Sequence, residues 1–303
     1  MEYIEVRFGE TFGQNLVRMA GTLNREAIKQ LAPAKVDAKN IHEARLCFKR
    51  LRSLLRMARH GLDQGEFRRL NTYYRNQARA LAGQRDYTVI SETLKPIIKS
   101  RDSTEEKAFL IRFRARLQER RNKEAGKQNL ESVRSEVMHQ LTKMQAQLTQ
   151  WKVIEDKPEL FFLGVQTTYG QARKELAQLK SDMSDHMLHE WRKHVKYLWH
   201  QMEMLLPIWP VMLKAWVKES KTLSQLLGRH HDLVLVETAL REYTEPELED
   251  LALTTFQDLG FEKSRIERDA LNLGAKLFSL RQANIYRMLS ECIPDSAQNA
   301  FPD

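Results

Sequence analysis

Hydrophobic residues recur along this chain at helical intervals from near its start to near its end. Between Ile41 and Leu62, the residues Ile41, Ala44, Phe48, Leu51, Leu55, Ala58 and Leu62 follow one another at spacings of three and four. That is the buried stripe of an amphipathic helix. One position along, His42, Arg45, Lys49, Arg52, Arg56 and Arg59 keep the same spacings, so a row of cations headed by a histidine borders the apolar seam. At helical rise the row extends roughly 25 Å. Period-two alternation of β-branched residues is almost absent, and Gly and Pro number only 12 and 8 in 303 residues, so the pattern predicts an all-α protein.

A first helix is expected over about Thr11–Leu31, stopping before Pro33. A capping box of Asn40 with Glu43 opens the Ile41–Leu62 helix. A third helix covers about Glu66–Ala82 and ends at Gly83. A fourth starts near Asp86 and ends before Pro96, and Thr104–Ala125 with Gln128–Trp151 predicts a long hairpin turning at Gly126. The short polar stretch Lys152–Pro158 is the expected boundary between two helical repeats, residues 1–151 and 159–303. In the second, helices are expected at about Phe161–Lys180, His186–Leu206, Val211–Gly228, His231–Tyr243, Pro246–Leu259 and Glu262–Gln282, with a loose tail from Pro294. Pro207 and Pro210 separate the second of these from the third.

The second half replays the first. His189 follows His42 at an offset of 147 (189 − 42), and at that offset Glu190, Arg192, Lys196 and Leu198 match Glu43, Arg45, Lys49 and Leu51. The apolar stripe returns as Leu188, Trp191, Val195, Leu198, Met202 and Leu205. Arg68 and Arg75 are matched by Lys214 and Lys221 at an offset of 146, and Leu81 to Asp86 is echoed by Leu226 to Asp232 with one residue inserted. Leu-x-Gly followed by Asp predicts one helix ending and the next being capped, so Asp86 and Asp232 are expected caps. A solvated face has no reason to repeat in register with its neighbours.

The net charge of +9 points to an anionic partner such as nucleic acid, a phosphate polymer or a membrane surface. With 40 acidic residues against 49 basic ones, the basicity must be concentrated to matter, and the two rows concentrate it. Cys47 and Cys292 form no pairing framework and are expected to be reduced. No apolar run approaches a membrane span, and the N-terminus carries no signal-like apolar segment, so a cytoplasmic protein without a membrane partner is expected.

The spacing H-x-x-R-x-x-x-K-x-x-R at His42–Arg45–Lys49–Arg52 resembles the signature of the CHAD family, the conserved histidine α-helical domain. So do its second copy, His189–Arg192–Lys196, and the two Leu-x-Gly turns, and the resemblance covers nearly the whole chain. It implies two similar four-helix-bundle-like repeats around a basic groove, with helical hairpin additions. It further implies binding of inorganic polyphosphate without catalysis, and association with polyphosphate granules. Met1–Phe8 lacks the alternating E-x-E-x-K pattern of the triphosphate-tunnel domain to which some members are fused, so a free-standing copy is expected. The second row departs from the family pattern, with Trp199 and His200 where Arg and Tyr are expected.

Arg and Lys at helical spacing supply matched donors for a linear polyanion, and Arg forks across two oxygens. The expected polyphosphate contacts are His42, Arg45, Lys49, Arg52 and Arg56 of the first row, then Arg68, Arg75 and Arg79 of the next helix, and Arg85 at its turn. Their counterparts are His189, Arg192, Lys193 and Lys196, with Lys214, Lys218 and Lys221. Nucleic acid is the alternative partner, although the first row interleaves no stacking aromatics, leaving Tyr73, Tyr74 and Trp199 as exceptions. The basic run Lys107–Lys123 is either an exposed face or a second anion patch. No Walker loop, paired carboxylates or nucleophile–base arrangement stands out, so neither an enzyme nor a cofactor is expected. No metal is expected either, because Arg192 and Lys193 beside His186 and His189 repel a cation.

Overall fold

The computed structural model describes residues 4–33, 36–82, 85–125, 130–245 and 248–293. Among these, the backbone forms eleven α-helices and one short 3-10 turn, Leu148–Gln150. The helices are α1 (Phe12–Leu31), α2 (Ala38–Met57), α3 (Gln64–Ala80), α4 (Arg85–Lys99), α5 (Thr104–Ala125), α6 (Leu130–Gln147), α7 (Leu160–Leu179), α8 (Asp185–Met204), α9 (Pro210–Tyr243), α10 (Glu249–Leu277) and α11 (Gln282–Glu291). The expected stop at Gly83, the hairpin turn at Gly126, the helix start at Pro246 and the tail from Pro294 lie outside the described residues, as do the side chains of Arg85 and Asp86.

Four local expectations are corrected. The capping box of α2 lies one turn earlier than Asn40–Glu43: Asp37 is the cap, its Oδ1 accepting from Asn40 N at 2.8 Å, and Asn40 returns the bond to Asp37 N at 3.3 Å. Helix α4 continues past Pro96 to Lys99; the proline forfeits the one backbone bond its missing N–H would make to the carbonyl of Glu92. Helix α9 runs unbroken through Gly228 and Asp232 because it is buried on both sides of the glycine: its apolar stripe passes from Leu223 and Leu227 in one core to Leu233, Val236 and Leu240 in another. Packing of that stripe outweighs the ~1 kcal/mol a glycine costs inside a helix. Helix α10 likewise continues through Gly260, and α11 then starts at Gln282, where the sequence pattern ends its last helix.

The larger core unites α1–α3 and α6–α8 with the first half of α9, the end of α10 and α11; Phe12, Phe48, Tyr74, Phe161 and Trp191 fill it. In the smaller core, Leu94 of α4 and Phe109 and Phe113 of α5 meet Leu233 and Val236 of α9 and Ala252 and Leu259 of α10. Both cores therefore draw on helices from either side of Lys152–Pro158. That connector is strapped to the α2–α3 turn: Asp63 N donates to Lys152 O at 3.0 Å, and Ile154 N to Gly61 O at 2.9 Å.

Helix α2 is wedged between α7 and α8. A Cβ on Gly164 of α7 would lie 1.8 Å from the Met57 carbonyl oxygen, so only glycine permits this approach. The fully buried Gln201 of α8 donates to Ser53 O of α2 and to Thr168 Oγ1 of α7, each at 3.1 Å. This junction sets the two basic rows on neighbouring helices, with α3 flanking α2 and α9 flanking α8.

Candidate polyanion-binding site

On α2, the stripe that buries Ala44, Phe48, Leu51 and Leu55 leaves the next helical row at the edge of the core, with exposed His42 at its head and half-buried Arg45, Lys49, Arg52 and Arg56 below. The Arg45 guanidinium donates to the Ala78 carbonyl, one of the last four of α3, which have no partner within their own helix. Arg52 Nε donates to Asn71 Oδ1 at 3.2 Å, and Arg56 Nη1 donates to the same oxygen at 2.6 Å. Arg56 also lies over the Tyr197 ring of α8, 4.1 Å from its centroid, and Arg52 lies 5.8 Å from it. The partners of both guanidiniums are thus an amide and a ring rather than carboxylates.

Helix α3, packed beside α2, supplies further cations. Arg75 is half-buried, with its Nε buried and without a hydrogen-bond partner, and Arg68 and Arg79 are exposed. Their neighbour Arg69 is instead paired with Glu66 at 2.8 Å. The like charges of Arg75 and Arg79 reach Arg52: burial first, and then these two, push its pKa below the usual guanidinium value, with Tyr197 opposing. Burial pushes Arg56 down to about 10, helped by Arg52 and Arg59 and again opposed by Tyr197. This cluster stores like-charge repulsion that a bound anion would relieve.

On α8, His189 is half-buried, and its Nδ1 is buried without a hydrogen-bond partner. Its ring centroid lies 4.7 Å from that of His231 on α9. Burial, then Arg192 and Lys193, lower the His189 pKa, while Glu190 opposes and His186 adds to the fall. The Arg192 guanidinium packs on Gly228, where an added Cβ would lie 3.4 Å from Nη2. The second Leu-x-Gly motif therefore serves close approach of an arginine to α9, not helix termination. Lys193 is drawn to Glu190 at 2.5 Å, and the charge of Lys196 reaches the buried His200. On α9, Lys214, Lys218 and Lys221 are exposed, with Lys221 6.0 Å from the centroid of the Trp199 ring.

At the offset of 147, Tyr197 stands where α2 has Arg50, Trp199 where it has Arg52, and Glu203 where it has Arg56. The contacts follow that exchange: Arg56 covers Tyr197, and Arg50 lies 3.8 Å from Glu203. Trp199 stacks on His200 with ring centroids 4.4 Å apart, so the second row has an aromatic at the level of Arg52. The structure thus brings Arg52, Arg56, Arg75 and Arg79 into one cluster, and separately brings His189 together with Arg192, Lys193 and His231. Sequence reasoning missed Asn71 and Tyr197. Asn71 was findable, since it lies four residues before Arg75 on the same helix face.

The basic run of α5 is engaged elsewhere, with Arg114 on Ser91 at 2.8 Å, Arg116 on Glu245 at 2.9 Å and Arg120 4.4 Å from the Tyr243 ring centroid. Among the described residues, no helix is long and apolar enough to cross a membrane.

The architecture is similar to the crystal structure of the CHAD domain from the plant Ricinus communis, at 18% identity over 92% of this chain and 94% of that chain, with a TM-score of 0.57. It is also similar to PptA from Streptomyces chartreusis, at 16% identity over 88% of this chain and 100% of that chain, with a TM-score of 0.65. No match was found among curated proteins. At these identities the likeness to solved structures carries the fold alone. A family model described as the CHAD domain matches residues 22–241, from within α1 to near the end of α9. The chain belongs to the CHAD domain family.

Proposed function

We propose that this chain binds inorganic polyphosphate, without catalysis, along a basic groove formed by α2 and α3 on one side and α8 and α9 on the other. The observation that carries the reading is the cluster Arg52, Arg56, Arg75 and Arg79. Burial, and then like charges, hold the Arg52 and Arg56 pKa values down, and both guanidiniums meet Asn71 and Tyr197. A chain of phosphates offers closely spaced charge with no base edge to read, and forked guanidiniums on a rigid helix match it. The family's general relation to polyphosphate binding supports the same partner. The absence of catalysis belongs to the proposal: Glu190 and Glu203, the acidic residues of the second row, are taken up by Lys193 and by His200. Phosphoryl transfer would call for carboxylates free to hold Mg²⁺ beside the phosphates. On this reading the protein works in the cytoplasm, at polyphosphate granules.

Nucleic acid is the second reading, and the half-exposed Trp199 beside Lys221 is the observation in its favour. The other aromatics are committed: Tyr74 is fully buried, Tyr73 packs on it edge-to-face, and Tyr197 is covered by Arg56. The groove is tested with Arg52→Glu combined with Arg75→Glu, measured by gel shift with long-chain polyphosphate. The expected result is loss of the shifted band with the helical circular dichroism unchanged. Full retention of affinity would place the binding surface elsewhere.

A further inference from the structure

Away from the basic rows, three helices bring together a histidine and two carboxylates. Asp185 is the first residue of α8, His230 lies in the middle of α9 and Glu267 in the middle of α10. One ligand-capable atom from each lies within 4.8 Å of the other two. His230 Nε2 is 2.9 Å from Glu267 Oε1 and 3.6 Å from Asp185 Oδ1. Only 2% of the His230 side chain is exposed, against 46% for Asp185, so the imidazole is fixed from within while the group opens to solvent at Asp185.

We propose that Asp185, His230 and Glu267 form a binding site for a divalent transition-metal ion of the zinc class. Tetrahedral zinc with bonds of about 2.0–2.2 Å to imidazole nitrogen and carboxylate oxygen sets neighbouring ligand atoms about 3.3–3.5 Å apart. The separations of 2.9 and 3.6 Å from His230 bracket that edge, and the Asp185 and Glu267 oxygens lie within 4.8 Å of each other, so rotation of the more exposed Asp185 side chain would close the third edge. A nitrogen ligand with two oxygens selects for zinc over magnesium or calcium, which prefer all-oxygen shells. Two carboxylates offset the charge of the ion, and three protein ligands leave a fourth position for water. Lys263 is the neighbouring cation. It lies 2.7 Å from Glu237 and 3.5 Å from Asp185 Oδ2, which leaves Oδ1 turned to His230. Glu237 is also held by Arg241 at 2.7 Å.

The neighbouring histidines are engaged differently. His189 sits with His231, and His194 bonds the buried Glu175 at 2.9 Å. Bound metal would tie α8, α9 and α10 together one turn before His189 and next to His231, ordering the head of the second basic row. The site stands independently of the polyphosphate reading, and its assay contains no phosphate.

The test is calorimetric titration of ZnCl₂ into tag-free, EDTA-treated full-length protein, alongside His230→Gln and Glu267→Gln. Glutamine places an amide N–H close to the position of Nε2, so it preserves the hydrogen bond to Glu267 and the fold while being a poor zinc ligand. One tight site is expected in the parent protein, weakened about a hundredfold or more in both variants. Zinc at a hundredfold excess over Kd should raise the parent's melting temperature by roughly 4 °C and leave His230→Gln unmoved. Magnesium and calcium should do neither. If His230→Gln binds zinc as the parent does, or the parent shows only weak sites untouched by both substitutions, the three residues are a structural hydrogen-bond network and the proposal is overturned.

Discussion

Arg56→Met separates a binding residue from a structural one. Burial and the charges of Arg52 and Arg59 push the Arg56 pKa down to about 10, well below the ordinary guanidinium value. At pH 7 the group is charged both folded and unfolded, because pH 7 lies below both values. Folding therefore bears the full cost of placing that charge, and the cost is relieved only as pH rises through about 10 toward the ordinary guanidinium value. At ~1.4 kcal/mol per unit, the cost is about 3 kcal/mol. Methionine removes it, keeps aliphatic volume against Tyr197, and leaves Asn71 Oδ1 accepting from Arg52 Nε at 3.2 Å. The lost hydrogen bond to Asn71 returns about 1.5 kcal/mol, so the variant should be more stable by roughly 1–2 kcal/mol. For a chain of this size the melting temperature should rise by about 2 °C. Affinity should move the other way. Losing one charge-assisted bond to phosphate, at ~1.5–3 kcal/mol, weakens binding by about ten- to a hundredfold. The slope of log K against log salt should become shallower by about 0.7. Differential scanning fluorimetry and anisotropy titrations with labelled polyphosphate at several KCl concentrations read both. A lower melting temperature with unchanged affinity would show that Arg56 serves the fold, and the reasoning would fail.

Two other outcomes follow from the second row. Gly228→Val should lower polyphosphate affinity with α9 intact, since the branched side chain enters the space the Arg192 guanidinium occupies; unchanged affinity by anisotropy would free Arg192 of a binding role. His189, held below its ordinary pKa by burial, Arg192 and Lys193, should gain a proton when a polyanion arrives. Affinity should therefore fall as pH rises from about 5.5 to 8, and calorimetry in buffers of different ionisation enthalpy should detect proton uptake that His189→Ala abolishes. A flat pH profile in the parent would sink this coupling.

Much of the fold was legible because helical period and cap chemistry are local. Thr11 caps α1 as a Thr–Gln box, with Gln14 N bonded to Thr11 Oγ1 at 3.3 Å, and α5 spans Thr104–Ala125 as its apolar spacing indicates. The cationic rows were legible for the same reason, and their repetition gave their register. Other features depend on tertiary contact. Gly228 and Gly260 look like stops until the partners of α9 and α10 are known, since a buried stripe on both sides of a glycine outweighs its propensity. The packing of α4 and α5 on α9 and α10 joins residues far apart in sequence, as does Tyr197 under Arg56. Asp185, His230 and Glu267 lie on three helices and share no spacing that a linear pattern could show.

The central claim is that the crowded guanidiniums of α2 and α3 hold a phosphate polymer rather than a nucleic acid. Its most direct test is a gel shift with long-chain polyphosphate at moderate salt, competed with single-stranded DNA and RNA at matched phosphate concentration. The expected result is a polyphosphate complex that survives a large excess of either nucleic acid. Equal competition by nucleic acid would contradict it and would return Trp199 to the centre of the site.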